Sequence, residues 1–549
     1  MLLVCGLLGW VYQRDAKLPL SPTLFQQFEW YLHDWRVQLA YPRPAPSAAT
    51  NLAVVEINDN SLRVMREKFP QVGGRWPFHH FHYGVMLDEL KAQGVRAVAF
   101  DILFQEQDDG IRYRVPHLTG TTNLVLSETF FSERFKASGN VIMAAVVGDG
   151  KCMQPLEQYR INSLGVGGVS GVGDRDGVLR RLIAFQDDPV AGRVWCLGFE
   201  LAAQALGADL KNAVVDESCI RLRCGNGQTR EVPLGRGNTI YLDWIVRPEQ
   251  SIPAQRVRRI DFWRVFSDAS NRALGAQVAD YGISNSLVVV GASGSGVNSV
   301  DRAPSALKKA DSIFLAHVNA ANSLLTGRFV QRLSATQELA IIFSLVIAAT
   351  LAGWRMHTLW ASLTVLLVAG AYVGFAVWAY VAHRYLLPMA LPVMGALMST
   401  HFVMTICRGV EYAERRHLEQ LLKKVVSPKI IDTLLQLDSP TPQTRRMEIT
   451  VLFADLRGFT RFSEESQSQA EAAARALGLP PEQARAFADE AAREAMSSVN
   501  RYLAAVVDEI KASDGTLDKY MGDCVMAFWG APVPDANHAA QALRCAMAS

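Results

Sequence analysis

Near the C-terminal end of the chain, two segments each place an acidic residue at the edge of an apolar run: Thr450-Val-Leu-Phe-Ala-Asp-Leu-Arg-Gly-Phe-Thr460 and Gly515-Thr-Leu-Asp-Lys-Tyr-Met-Gly-Asp-Cys-Val-Met-Ala-Phe-Trp529. In the first, Val451, Leu452 and Phe453 read as a buried strand and Asp455 sits as it ends. Arg457, Gly458 and Thr460 then make a turn whose backbone N–H groups suit phosphate oxygens. In the second, Lys519 and Asp523 lie at a hairpin-like turn around Met521-Gly522, ahead of a further buried strand from Cys524 to Phe528. Two carboxylates so placed can share a pair of divalent cations, the requirement of a metal-assisted phosphate reaction. Singly, each residue has a plainer explanation: Asp455 as a turn or helix cap, Lys519 as a solvated charge, Asp523 as a turn residue. The weight lies in the two long segments taken together and in order.

The paired segments resemble the signature of the class III nucleotide cyclases. The resemblance implies an α+β ferredoxin-like catalytic domain over residues 445–549, converting ATP to 3′,5′-cyclic AMP and pyrophosphate at a homodimer interface. It also implies two Mg²⁺ or Mn²⁺ ions per site, with Asp455, Leu456 and Asp523 as the metal-binding residues. Gly458, Phe459 and Thr460 are then expected to bind substrate, and Lys519 to read the purine through its ammonium. Lys rather than Glu at that position implies adenine. A guanylate cyclase, or a receptor that uses a cyclase-like region only to dimerise, are the rival readings. The family's second purine contact and its transition-state Asn and Arg fall beyond Ser549, so the catalytic domain is expected to be incomplete and this chain inactive alone. Between Glu464 and Val499 an Ala/Glu/Arg-rich insertion reads as solvated helix, broken at Pro480-Pro481, ahead of a helix from Val499 to Ile510.

Such a domain needs something to position it, and the composition points to a membrane. Half of the 549 residues are hydrophobic and mean hydropathy is +0.09, while 55 basic residues against 53 acidic give no reason to expect nucleic-acid binding. Apolar runs at Leu339–Trp354, Leu359–Val381 and Tyr385 to about Ile406 approach the ~20 residues that cross a bilayer. Residues 1–12 read as part of a further transmembrane helix. The expected organisation is an outer region over 13–333, three spans over 334–407, a juxtamembrane transducer over 408–444, and a cytoplasmic catalytic region. Arg408, Arg415, Arg416, Lys423 and Lys424 favour the cytoplasm for the chain beyond the last span.

The outer region reads as an α/β domain: a strand over Leu52–Ile57, a turn and cap at Asn58-Asp59-Asn60-Ser61, a helix from Val85 to Gln93, and a strand from Ala97 to Phe104. That order suggests a parallel βαβ unit, and Leu287–Ala292 is another buried strand. Val55-Glu-Ile-Asn-Asp-Asn-Ser61, Gly74-Arg-Trp-Pro77, Ala99-Phe-Asp-Ile-Leu-Phe104, Asp176-Gly-Val-Leu-Arg-Arg181 and His317-Val-Asn-Ala-Ala-Asn-Ser-Leu-Leu325 resemble the second type of the CHASE sensors. The resemblance implies an extracytoplasmic input domain for a signal the sequence does not identify. Asp59, Asp101, His79, His80 and His82 suit a transition metal by type, but are better read as strand-end caps and loop histidines. The Gly-Ser loop after Ala292 lacks the Lys of a P-loop. Cys219 and Cys224 are near enough in sequence to pair across a hairpin if their Cα atoms approach. From Glu411 to Leu437 an apolar stripe broken at Ser427-Pro428 suggests a dimeric coil that couples sensor to catalytic region.

Overall fold

The structure is a computed structural model that describes residues 2–17, 23–40, 48–108, 110–148, 151–246, 257–295, 302–307, 311–422 and 446–549. The chain divides into two compact units, Met1–Val403 and Met404–Ser549.

In the first unit, helices α1 (Leu2–Lys17) and α2 (Leu24–Ala40) precede a seven-stranded sheet. Its strands are β1 (Leu52–Ile57), β2 (Ala97–Phe100), β3 (Val141–Gly148), β4 (Lys151–Met153), β5 (Gly165–Gly168), β6 (Arg258–Asp261) and β7 (Leu287–Ala292). They run in the order β6-β1-β7-β2-β3, and β3 also pairs with antiparallel β4 and parallel β5. β1 and β7 are near-continuous apolar runs because both faces are covered. Ala53, Val55 and Ile57 pack with α4 (His80–Ala92), α5 (Ser127–Ser138) and α7 (Phe262–Ala273), after the short helix α3 (Asp59–Lys68). Leu52 and Val54 pack with α6 (Leu197–Leu206) and α8 (Phe314–Thr326) on the other face.

The expected strand–helix–strand unit is present and parallel, yet β7 stands between β1 and β2. Non-local pairing of this kind leaves no local trace in the sequence. α4 starts at His80 rather than Val85, and β2 stops at Phe100 rather than Phe104. Phe104 instead turns into an aromatic cluster, with ring centroids 5.1 Å from Tyr83 and 5.2 Å from Phe131. Cys219 and Cys224 are both free thiols. They lie in and just after one strand, Cys219–Arg223, rather than across a hairpin, and five residues of extended chain separate their Cα atoms by roughly 16 Å.

α6 and α8 cross at Gly198, where a Cβ would stand 2.2 Å from the carbonyl oxygen of His317. On the same helix, Glu200 packs its carboxylate over Gly165, and burial pushes its pKa up to about 7, with Lys211 opposing. Between pH 4.5 and 7 the folded state therefore holds more protons than the unfolded one, so this group makes stability fall as pH rises through that window. Glu200→Gln is expected to raise stability at pH 8 by about 2–3 kcal/mol and to flatten its decline between pH 5 and 7, read by denaturant unfolding.

Three helices are long and apolar enough to cross a membrane: α9 (Ala335–Arg355), α10 (Thr358–His383) and the first part of α11 (Ala390–Leu422), to Glu414. The first two agree with the sequence to within a few residues. The third starts later than expected because Tyr385-Leu386 leaves the helix to pair with Gln331-Arg332. α1 packs Leu8 and Val11 against Ile342, Val346 and Leu391, the apolar residues of α9 and α11. Close approach depends on small residues, as expected between membrane helices: a Cβ at Gly395 would stand 2.7 Å from Leu8 Cδ1. The Ser427-Pro428 break and the end of the apolar stripe lie outside the described residues.

In the second unit, β8 (Thr450–Asp455), β9 (Thr516–Met521) and β10 (Cys524–Trp529) form an antiparallel sheet in the order β8-β10-β9. Helices α12 (Phe459–Ala476), α13 (Pro481–Ala512) and α14 (His538–Ala548) complete it. Val499, Leu503, Val507 and Ile510 of α13 make one helical stripe against Leu517, Val525, Ala527 and Trp529. The insertion folds as helix on both sides of Pro480, with Pro481 opening α13 as its preset φ allows. It lengthens α12 and α13 rather than adding an element, so Val499–Ile510 is the inner end of a 32-residue helix.

Candidate active site

β8 is not the buried strand its apolar run suggests. Its exposure alternates, with Val451 40% and Phe453 58% accessible, while Leu452 packs into the core. Among the described residues, helices cover one face of this sheet, so every second residue of β8 meets solvent. The same alternation decides where the candidate site residues point. Asp455 pairs with Cys524 and Phe453 with Met526, so Val451, Phe453 and Asp455 share the uncovered face with Cys524, Met526 and Phe528.

Lys519 joins that face through an irregularity. A regular ladder from Leu517, opposite Ala527, would set Asp518 opposite Met526 and turn Lys519 toward the core. The register shifts between Leu517 and Lys519, and Lys519 itself stands opposite Met526. One extra residue thus re-aims the ammonium onto the face that carries Asp455. Its ion pair with Asp518, 3.4 Å long and exposed, holds it only weakly.

Asp523 sits in the two-residue turn Gly522-Asp523 between the paired Met521 and Cys524, with Gly522 at φ +70°. Asp455 is opposite Cys524, so the two carboxylates come to the same end of the sheet, one residue out of direct register. Neither is tied to a protein partner among the described residues. Gly458, at φ +86°, turns the chain into α12, and no side chain caps that helix. Of its first-turn N–H groups, that of Thr460 is thereby left to an anion or water. Phe459 donates its N–H to the Leu456 carbonyl at 3.2 Å and packs its ring on the core, so its ring anchors this turn. The Leu456 carbonyl keeps a second lone pair.

Two carboxylates and a carbonyl form an all-oxygen donor set, which suits a hard cation such as Mg²⁺ or Mn²⁺ completed by phosphate oxygens. No group of three or more His, Cys, Asp or Glu able to hold a metal occurs among the described residues.

The acidic and histidine residues of the first unit behave differently. Asp59 accepts both the N–H and the hydroxyl of Ser295, at 2.6 and 2.8 Å, fastening the turn after β1 to the loop after β7. The histidines are not in a loop: His79 is the cap and His80 and His82 the first turn of α4. His80 is 2.9 Å from the Tyr159 hydroxyl, His79 contacts that of Tyr113, and burial lowers His82 to about 4. Sequence reasoning missed the purpose of Asp176-Gly-Val-Leu-Arg-Arg181. Arg180 is a buried hub that binds Asp34, Asp174 and Asp176, and only the fold reveals the partnership with Asp34 on α2.

Residues 3–354 match the CHASE2 domain family. A stretch of 103 residues, 19% of this chain, is 33% identical to Adenylate cyclase 1 of Rhizobium meliloti (strain 1021). The match spans 12% of that relative's length.

Proposed function

This chain belongs to the CHASE2 domain family, and from that premise we propose that it is a transmembrane receptor whose first unit senses a signal outside the cytoplasm and whose second unit is an adenylate cyclase. The observation that carries the reading is the register of the second sheet, which gathers Asp455 and Asp523 at one end and sets Lys519 on the same face. Similarity to a protein named adenylate cyclase supports it, as do the three helices able to cross a membrane.

In this reading Asp455, the Leu456 carbonyl and Asp523 hold Mg²⁺ or Mn²⁺, which when bound supplies Lewis-acid activation of the ribose 3′-hydroxyl and charge neutralisation for pyrophosphate. The first turn of α12 orients phosphate oxygens by the N–H groups of Gly458 and Thr460, while Phe459 holds the turn in place. Lys519 donates to the purine ring, favouring adenine. The apolar side chains of Val451 and Phe453 on the uncovered face favour a second copy of the chain there, which would close the site as a homodimer.

Lys519 provides the specificity test. Lys519→Glu is expected to lower the kcat/KM for ATP relative to GTP by about tenfold or more, measured by separating the cyclic nucleotides formed from each. An unchanged ratio would remove Lys519 from purine recognition.

A further inference from the structure

We infer that α2 is the strut that couples the sensor to the third membrane helix, with Asp34 as its attachment on the sensor side and Glu29 on the membrane side. On one side, Asp34 takes both Nε and Nη2 of Arg180, each at 2.7 Å. Arg180 is itself held by Asp174 and Asp176 of the turn before it and stacks over Trp30. A two-pronged bond of this kind fixes orientation as well as distance.

On the other side, Glu29 Oε2 accepts the backbone N–H groups of Met389 and Ala390, each at 2.8 Å. These are donors at the start of α11, which have no partner within the helix. The carboxylate also lies at the positive end of the helix dipole. Arg36, fully buried, joins the assembly by binding Glu29 Oε1 at 2.8 Å and the Leu387 carbonyl at 2.7 Å.

Glu29 and Arg36 are two turns apart on one face of α2, whereas Asp34 lies about 140° round the helix from Glu29. The helix therefore stands between two charged attachments, each with its arginine buried and its carboxylate partly so. Buried charge pairs resist gradual stretching, because a broken pair leaves an unpaired charge in a medium that penalises it. Displacement of the Asp174–Arg181 turn carries α2 as a body, and α2 carries the start of α11. That helix continues to Leu422. A second clamp, Arg384 bound to Asp243 through Nε at 2.9 and 3.1 Å, secures the turn between α10 and α11 to the same unit.

The receptor reading gives this coupling its direction, but the coupling is testable without catalysis. Backbone hydrogen exchange of the full-length protein in lipid nanodiscs reads the amides of Met389 and Ala390 directly. Glu29→Gln sets the reference by weakening their acceptor. Asp34→Asn, which touches neither amide, is expected to raise their exchange about tenfold, and the double variant to exceed Glu29→Gln by less than twofold. Arg180→Lys, which keeps the charge but loses the fork, is expected to act in the same direction and serves if Asp34→Asn does not fold. The inference is overturned if these variants loosen residues 24–40 while Met389 and Ala390 exchange at the unaltered rate, or if the effects of Asp34→Asn and Glu29→Gln multiply.

Discussion

Asp455→Ala is expected to reduce cyclic-nucleotide formation by about a thousandfold or more while leaving the fold of the second unit intact. The size reflects the proposed role: a carboxylate that holds a metal contributes several kcal/mol of charge stabilisation in the transition state, and each ~1.4 kcal/mol is a factor of ten in rate. The tolerance of the fold reflects position. Asp455 is exposed at the end of β8, on the face away from the core of Val499, Leu503, Val507 and Trp529. Circular dichroism and thermal unfolding of the variant should match the unaltered protein. Loss of activity accompanied by loss of structure would mean that Asp455 is a turn residue and not a ligand. Asp455→Asn should fall between the two, because it keeps an oxygen but not the charge.

Arg180→Ala is expected to cost the first unit about 3–5 kcal/mol, the usual loss when one member of a buried charge network is removed. Arg180 is 2% exposed and serves three carboxylates. Asp174, itself 7% exposed, would keep only Arg181 as a charged partner. In a unit of this size the thermal midpoint should drop by roughly 4–6 °C. Arg180→Met, which restores apolar volume without charge, should not recover the loss, since the carboxylates remain buried. A change of less than about two degrees would show that water replaces the guanidinium at little cost.

The sequence makes the local features of this molecule legible and hides the long-range ones. Apolar length alone locates α9 and α10 because a bilayer demands it, and Pro481 marks the start of α13 because its ring fixes φ. β8 reads as buried because Val451-Leu-Phe453 is apolar throughout, yet half of it faces solvent. An uncovered apolar face is written in the same residues as a core. Lys519 lies on the face of Asp455 only by virtue of a register shift, and no residue type announces it. The insertion of β7 between β1 and β2, the clamp of Arg180 on Asp34 and the capping of α11 by Glu29 join residues far apart in the chain. Spacing cannot report such contacts, although the motif around Asp176 does mark one partner of the clamp.

The proposed adenylate cyclase activity requires that the second unit form cyclic AMP. The most direct test offers ATP and GTP separately, with Mg²⁺ or Mn²⁺, to the full-length parent with its complete cytoplasmic region, in lipid nanodiscs, and separates the products. Metal-dependent formation of 3′,5′-cyclic AMP, in excess over cyclic GMP, is the expected result. No cyclic product from either nucleotide, from protein shown to be folded and dimeric, would contradict it and leave the second unit as a dimerisation module.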